Sequence, residues 1–269
     1  MADIIVPIKQ VPDMERVKFD TEAGRIDRSS ASGEINPFDL NALEAAVQLK
    51  DKLGGTVTTI SMGPPQAESS LRDSLARGAD RAILLAGKEF AGADTWATSY
   101  VLASAIKKLG KFDIIICGEK TVDGDTGQVG PEIGEWLSIP HIAYVSEVQE
   151  VNATGITVVA EMESDHYAIR SPFPTLLTVT KDVNVPRLPS FQDKMKARKA
   201  EIETWGAADL ADVADAANFG LKGSPTRLNK VVIPSEEGRR GEVFRGNSDE
   251  AAKKVADALQ KLGIVGSAK

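Results

Sequence analysis

The order of apolar and polar residues predicts alternating strands and helices over the first half of the chain. Short apolar runs, typical of buried parallel strands, lie at residues 4–8, 56–62, 82–85 and 113–117. The stretches between them carry apolar residues at helical spacing. Helices that alternate with short apolar strands indicate an α/β fold with a doubly wound, mostly parallel, Rossmann-like sheet.

The helix boundaries carry their own signals. Asn36 as N-cap and Pro37 at the first helical position predict a helix that ends ahead of Gly54. A second helix is expected to open at Gly63, and Asp94 is expected to cap a third.

After residue 140 the pattern changes. Segments 142–149, 156–163, 166–171 and 175–180 alternate, and we expect them to add antiparallel strands to the sheet edge. From about residue 183 to 246 the periodicity fails. Such a stretch is too long for a loop in a compact domain, so it is either disordered or an arm held by another chain.

A final amphipathic helix follows, with Ser248 as its expected cap and Val255 on its apolar stripe. We therefore divide the chain into an α/β domain at residues 1–184 and an arm with a C-terminal helix at residues 185–269.

Composition narrows the class of protein. With 269 residues and 42% hydrophobic content, the chain can bury one substantial core plus an appendage. A net charge of −7 disfavours nucleic acid or a membrane as the principal partner. One cysteine and two histidines leave no disulfide framework and no convincing zinc cluster. With no leader and no apolar span of about 20 residues, we expect a cytoplasmic protein.

Polar residues and glycines lie where the predicted parallel strands end. Lys9 follows the first strand, Ser61 and Met62 end the second, and Gly118 follows the fourth. Ligands of doubly wound sheets bind outside the carboxyl ends of the strands. Three loops are therefore expected to converge on one edge of the sheet.

The acidic, glycine-bearing loop at residues 121–131 connects the fourth strand to a helix start. Free amides and the positive end of the helix dipole suit a phosphate there, and glycines let the main chain approach it. An ordinary N-cap formed by Asp125 or Thr126 is the alternative, and the chemistry of the loop alone does not separate the two. Neither Gly-x-Gly-x-x-Gly nor a Walker pattern is present.

Residues 122–133, 6–13 and 36–39 closely resemble the β (small) subunit of electron transfer flavoproteins, and the resemblance covers nearly the whole chain. It is to the flavin-bifurcating branch, whose small subunit holds FAD where the ordinary branch holds AMP. The edge position and the resemblance together give the expected cofactor-binding residues: Pro7, Ile8, Lys9, Asn36, Asp39, Ser61, Met62, Gly118, Asp123, Gly124, Asp125, Thr126, Gly127, Gln128 and Val129.

Within that set, carboxylates cannot attract a pyrophosphate, so main-chain amides, Thr126 and Gln128 are expected to contact it. The resemblance also implies a reaction with NADH. Gly63, Pro64 and Gln66 are candidates to bind it at a second helix start, and simple helix capping explains these residues equally well.

We expect no catalytic side chain and no metal site. Cys117 ends an apolar strand and is expected to be buried, and His141 and His166 have no visible catalytic partner. A chain without such groups suits a redox protein whose cofactor carries the chemistry.

The resemblance implies four kinds of partner: the α (large) subunit, an acyl-CoA dehydrogenase-type protein or a lactate dehydrogenase, and ferredoxin as low-potential acceptor. Leu188, followed by Pro189, matches the recognition loop whose leucine docks on the dehydrogenase, although the Ser-Phe-Gln that follows departs slightly from the family pattern.

Two other interpretations stay open. One is a conventional electron transfer flavoprotein β subunit that holds AMP and does not react with NADH. The other is a free-standing nucleotide-binding signalling module. A module that acts alone has no use for about 60 residues of aperiodic tail, which argues against the latter.

Overall fold

The structure is a computed structural model that describes residues 1–13, 15–20, 25–27, 32–227, 241, 243–244 and 246–265. Contacts divide the chain into two compact units, Met1–Lys230 and Val231–Lys269. The functional division that we expected after residue 184 remains a prediction.

In the first unit the elements follow in chain order. The strands are β1 (Ala2–Pro7), β2 (Gln10–Pro12), β3 (Lys18–Asp20), β4 (Arg25–Asp27), β5 (Gly33–Ile35), β6 (Gly55–Met62), β7 (Arg81–Leu85), β8 (Ile114–Gly118), β9 (His141–Val151), β10 (Gly155–Met162), β11 (Asp165–Pro172), β12 (Thr175–Val179) and β13 (Glu203–Trp205). The helices are α1 (Pro37–Leu53), α2 (Glu68–Ala76), α3 (Thr95–Leu109), α4 (Val129–Leu137), α5 (Phe191–Lys199) and α6 (Gly220–Gly223).

A nine-stranded sheet forms the centre of this unit, in the order β11-β10-β9-β12-β8-β1-β6-β7-β13. Strands β9, β12, β8, β1, β6, β7 and β13 pair in parallel, and β9, β10 and β11 pair antiparallel at one edge. Helices α1 and α2 contribute to one apolar cluster, and α3 and α4 to a second. The predicted doubly wound, mostly parallel α/β fold is confirmed.

The prediction for residues 175–180 was wrong in one respect. Strand β12 is parallel and lies between β9 and β8, rather than extending the antiparallel edge. Every one of its five residues is buried. Burial on both faces is the property of parallel interior strands, and the run Leu176-Leu177 carries that signal.

The stretch after residue 183 has more regular structure than its sequence pattern predicts. Helix α5 packs against α2, and β13 pairs with β7 at the end of the sheet. An ion pair between Arg81 Nε and Glu203 Oε1, 2.6 Å apart, joins these two strands. Strand β13 has only three residues, too few for a periodicity to show.

In the second unit, α7 (Ser248–Lys261) is the described helix. Its N-cap is Asn247, whose side chain accepts a hydrogen bond from the amide of Glu250 at 2.9 Å, so the expected cap at Ser248 was off by one residue. Across the described ranges of the whole chain, no helix is long and apolar enough to cross a membrane.

Candidate functional site

The winding of the sheet reverses at β1. From β1 the chain proceeds to β6 and β7 on one side, and then crosses to β8 on the other side. Ligands of doubly wound sheets bind at such a switch point, outside the carboxyl ends of the strands. Lys9, Ser61 and Gly118 lie at the ends of β1, β6 and β8, which are neighbours. The predicted convergence at this carboxyl edge is confirmed.

Asp39, in the first turn of α1, ties two of these strand ends together. Its Oδ2 accepts a hydrogen bond from the amide of Lys9 at 2.8 Å. A β-carbon at Gly118 would collide with Asp39 Oδ1, so only glycine allows this approach. Burial raises the pKa of Asp39 to about 7, against hydrogen bonds from the Lys9 amide and the Asn36 side chain that lower it. The partners of this buried carboxyl group are therefore groups of the protein itself, which lie beneath the edge.

Asn36 lies at the predicted N-cap position of α1, but its side chain has a different role from capping. It occupies the N-cap position of α1 without a side-chain capping bond. Its Nδ2 donates to the carbonyl oxygen of Lys120 at 2.8 Å, and its Oδ1 accepts from the amide of Val122 at 3.2 Å. The N-cap position is confirmed, but the side chain does not cap the helix, because Lys120 and Val122 bind both ends of its amide group.

A second tie holds the same loop to β1. Lys9 Nζ lies 2.7 Å from Asp123 Oδ1, and the Asp123 side chain is only 1% exposed. The Asp123 carboxylate is therefore buried and paired within the protein. The tip of the loop, formed by Gly124, Asp125 and Thr126, does not share this burial and is exposed.

The loop turns into α4 through two left-handed residues, Asp125 with φ +52° and Gly127 with φ +67°. Glycine adopts such a φ without strain, whereas a β-branched residue does not. We expected Gly127 to be required because of crowding at a phosphate. The structure adds a backbone reason, since among the described residues a β-carbon there would meet just the Glu119 carbonyl oxygen, at 3.4 Å, while its φ is left-handed.

Helix α4 begins with free amide donors. Gln128 occupies the N-cap position, and no side-chain capping bond is present. The alternative in which Asp125 or Thr126 caps this helix was therefore wrong. Pro131 has no N–H, the Glu132 amide donates to the Gln128 carbonyl oxygen, and no described residue accepts from the amides of Val129 or Gly130. These two amides lie at the positive end of the helix dipole, where an anion is stabilised.

A buried hydroxyl lies at the end of β6. Ser61 is 0% exposed, and among the described residues its Oγ has no hydrogen-bond partner. Buried hydroxyls normally have a partner, so this one suits a polar group of a ligand or a water. Met62 is half-buried, and Pro7 and Ile8 are buried, so the last two can contact a ligand only through limited surface.

The second helix start offers less to a phosphate than we expected. The helix predicted from Gly63 opens as a single 3-10 turn, Pro65–Ala67, before α2. Pro64 and Pro65 lack amide hydrogens, and the Ala67 amide donates to the Pro64 carbonyl oxygen. The Gln66 carbonyl oxygen accepts from Gln10 Nε2 at 3.0 Å.

Sequence reasoning missed the contribution of α3 to this edge. Thr95 Oγ1 lies 3.2 Å from both Gln128 Oε1 and Glu132 Oε1. In the described part of the chain, Glu132 Oε2 is buried without a hydrogen-bond partner. The signal was available, since Asp94, which caps α3 as predicted, follows the third parallel strand and so lies at the same edge.

The remaining candidates lie elsewhere or are inert. Cys117 is 6% exposed, and burial raises the pKa of its thiol, which confirms the expected buried cysteine. His166 Nε2 lies 3.7 Å from Glu161 Oε1 on the antiparallel strands. The described residues contain no group of three or more His, Cys, Asp or Glu that could hold a metal. Leu188 is 87% exposed and lies in the segment before α5.

The fold and the edge define a doubly wound α/β protein with a candidate phosphate-binding helix start at its switch point. Comparison with known proteins agrees with this class: a family model described as electron transfer flavoprotein domain matches residues 23–210.

Three relatives illustrate the similarity. The electron transfer flavoprotein subunit beta of Thermoanaerobacterium thermosaccharolyticum is 44% identical over 264 residues, which cover 98% of this chain and 100% of the relative. Protein FixA of Bradyrhizobium diazoefficiens is 41% identical over 261 residues, 95% and 90% of the two chains. The caffeyl-CoA reductase-Etf complex subunit CarD of Acetobacterium woodii is 40% identical over 264 residues, 97% and 99%.

The chain therefore belongs to the electron transfer flavoprotein family, among its β subunits. Membership implies association with a flavin or nucleotide, and β subunits of this family pair with an α subunit.

Proposed function

We propose that this chain is the small subunit of a cytoplasmic, flavin-bifurcating electron transfer flavoprotein. It binds FAD and takes electrons from NADH. One electron goes to ferredoxin and the other, through an FAD in the α subunit, to a partner dehydrogenase or reductase. The observation that carries this proposal is the start of α4, where two free amides lie at the switch point of the sheet.

The residues present fit a dinucleotide. The amides of Val129 and Gly130 are suited to the pyrophosphate, and the exposed side chains of Thr126 and Gln128 can add hydrogen bonds. The buried hydroxyl of Ser61 is available to a polar group of the same ligand. When bound, the FAD would supply the acceptance of hydride and the release of single electrons, and the protein would supply orientation and exclusion of solvent.

The internal charge pairs of the edge suit this role. Lys9 neutralises Asp123, and Lys120 Nζ lies 3.1 Å from Asp125 Oδ1. Two carboxylates in a phosphate-binding loop would repel an anion, and each has a lysine beside it. The loop can therefore carry acidic residues for its structure while its amides face the phosphate.

For NADH we propose the neighbouring region of Gly63, Pro64 and Gln66, at the end of β6. The Gln66 amide is the donor that this turn can offer, so contacts with NADH would depend on side chains and on the flavin itself. The turn lies at the same carboxyl edge as the start of α4, which supports this position.

The electron acceptor is proposed to be an acyl-CoA dehydrogenase-type protein or a lactate dehydrogenase. The name of CarD places that relative in a complex with a caffeyl-CoA reductase, which supports an acyl-CoA partner for this chain. Leu188 would dock on it, and its 87% exposure suits an interface anchor.

The second candidate function is a conventional β subunit with AMP as a structural ligand, because the same helix start can hold a single phosphate. The test is to co-express the chain with its α subunit, release the nucleotides and count them. Two FAD per heterodimer would support the proposal. One FAD with one AMP would establish the conventional subunit instead.

A further inference from the structure

A segment next to the sheet displays apolar side chains while its backbone is held in place. We call residues 181–200 the strap. Val185 and Leu188 are each 87% exposed, and Phe191 is 79% exposed. An exposed apolar group on a mobile loop loses conformational freedom on binding, whereas one on a fixed backbone loses little. The contacts of the strap decide between these cases.

Arg187, directly before Leu188, is held by its side chain, its amide and its carbonyl group. Its Nε and Nη2 donate to Glu44 Oε2 and Oε1 at 2.7 and 3.1 Å, and its amide donates to Glu44 Oε2 at 3.1 Å. Its carbonyl oxygen accepts from Arg77 Nη1 at 2.8 Å. Asp51 Oδ2 adds a contact at 3.3 Å.

The base of the strap is tied to α1 in both directions. Asn41 Nδ2 donates to the Asn184 carbonyl oxygen at 2.8 Å, and Asn184 Nδ2 donates to the Asn41 carbonyl oxygen at 3.0 Å. Asn41 is 5% exposed, so this pair is shielded from water.

The far end of the strap is capped from α2. Arg72 Nη1 donates to the carbonyl oxygens of Ala197, Arg198 and Ala200, at 3.0 to 3.1 Å, at the end of α5. Orphan carbonyl groups at a helix end are stabilised by such a cation. The strap is therefore fixed before, at and after the position of Leu188.

Glu44 is the buried centre of this arrangement. Its side chain is 7% exposed, and that of Arg187 is 40% exposed. Burial opposes the charge of Glu44, but the hydrogen bonds from the Arg187 side chain and amide outweigh it and hold the carboxyl pKa below its ordinary value. A buried carboxylate that is paired at two oxygens with a guanidinium is a rigid contact.

We infer that Glu44, Arg77 and Arg187 form a clamp that fixes Leu188 in its docking position. They act as positioning residues for the partner dehydrogenase and do not touch it themselves. This inference rests on the proposed docking role of Leu188. It assigns a function to a buried carboxylate of α1 that the nucleotide site does not use.

The clamp itself can be tested without any dehydrogenase. Hydrogen exchange by mass spectrometry would follow the amides of Arg187 and Leu188 in the purified heterodimer, since Pro186 and Pro189 have none. Glu44→Ala removes the acceptor of the Arg187 amide and of Gln48 Nε2, while the half-exposed Arg187 side chain keeps Asp51 Oδ2 as a partner, so the fold should survive. We expect exchange at Arg187 to be at least ~10-fold faster in this variant.

Glu150→Ala is the matched control, because Glu150 is an exposed carboxylate on β9. It should leave exchange in the strap unchanged. Arg187→Lys keeps the charge but cannot form the two-pronged contact, so its exchange should lie between that of the native protein and that of Glu44→Ala. Exchange at Arg187 in the native heterodimer as fast as in an unstructured peptide would overturn the clamp.

A second measurement tests the purpose of the clamp. With a purified acyl-CoA dehydrogenase as the probe, and a lactate dehydrogenase as the alternative probe, Glu44→Ala should raise the apparent KM for the probe about fivefold. The kcat at saturation should stay the same, because binding alone is affected. A lower kcat with unchanged KM would overturn the positioning role.

The two failures are distinguishable. If Leu188→Ala raises the KM and Glu44→Ala does not, docking stands and positioning by the clamp is overturned. If Leu188→Ala leaves the KM of both probes unchanged although exchange at Arg187 is slow, both the docking role of Leu188 and the positioning role of the clamp are overturned. The nucleotide proposal is independent of this result, because the FAD count tests it separately.

Discussion

The carboxyl edge and the strap are two regions that share one helix but are built in opposite ways. At the edge, the side chains of Asn36 and Asp123 make internal contacts, whereas the amides of Val129 and Gly130 at the start of α4 have no acceptor among the described residues. On the strap, backbone groups make the internal contacts, and apolar side chains such as Leu188 are exposed to solvent.

The two buried carboxylates of α1 show the same contrast. Asp39 at the edge is hydrogen-bonded by the Lys9 amide and the Asn36 side chain, but burial outweighs these contacts and raises its pKa to about 7. Glu44 beneath the strap is paired with Arg187, and its pKa is lowered. From this comparison we expect that nucleotide binding at the edge depends on backbone conformation, whereas partner docking on the strap depends on side-chain identity.

The largest effect is therefore expected from a backbone change at the edge. Gly127→Val places a β-branched residue at φ +67°, which should shift the α4 amides and weaken FAD binding by roughly 10- to 100-fold. The small-subunit flavin and NADH-dependent ferredoxin reduction should be lost, and the α-subunit flavin should remain. The measurement is flavin content together with dithionite reduction of the remaining flavin.

Gly110→Val is the matched control for strain. Gly110 has φ +89° and ends α3, and among the described residues no atom lies within 4 Å of a β-carbon built there. This variant should lose stability but retain both flavins. If Gly127→Val also retains both flavins and full NADH activity, the loop is an ordinary turn and the contrast between the two regions fails.

The next effect concerns stability and pH. Because the folded carboxyl of Asp39 has a pKa of about 7, above the ordinary value of 3.8, it stays protonated while the unfolded chain ionises. The free energy of unfolding should therefore fall as pH rises from about 4 to 7, by at most about 1.4 kcal/mol per pH unit. Asp39→Asn should flatten this slope in denaturant titrations.

Glu44 should show the opposite sign. Its folded pKa is lowered, so its stabilising contribution is present above the ordinary value of 4.5 and is lost as pH falls through the folded pKa. Glu44→Gln should remove that acid-side loss and leave the slope between pH 4 and 7 in place. Identical pH profiles for the two variants would contradict the assignment of different surroundings to these carboxylates.

A smaller effect is expected from a side chain on the strap. Leu188→Ala should weaken docking of the dehydrogenase by about 2 kcal/mol, roughly 30-fold in affinity, with flavin content unchanged. The measurement is electron transfer at limiting dehydrogenase concentration. Unaltered transfer there would remove Leu188 as the anchor.

The smallest effect is expected from a side chain at the edge. Thr126→Ala removes one hydrogen bond of about 1 kcal/mol and leaves the α4 amides in place, so FAD affinity should fall only a few-fold. Equilibrium dialysis of the flavin against the heterodimer measures this. A loss as large as that of Gly127→Val would show that the site depends on side chains after all.

Much of the fold was readable from the sequence because buried parallel strands are short, continuous apolar runs. Strand β8 was found in this way, with an error of one residue at each end, and α3 begins directly after its predicted cap, Asp94. The parallel direction of β12 was missed because pairing partners are set by tertiary packing, which a local pattern does not contain. Strand β13 was missed because it is too short to show a period.

The sequence predicted the location of the candidate site better than it predicted the contacts that the site residues make. The convergence at the carboxyl edge follows from the rule for doubly wound sheets, and the structure confirms it. The uses of Asn36 and Asp123 were not readable, because their partners are more than 80 residues away in the chain. The clamp on Arg187 was hidden for the same reason, since Glu44 lies 143 positions away.

The most direct test of the central claim is amide hydrogen exchange at residues 125–132 of the heterodimer, before and after removal of the small-subunit nucleotide. The account predicts that bound FAD slows exchange at Val129 and Gly130 and leaves the strap unchanged. Exchange at those two amides that is the same with and without the nucleotide would contradict it.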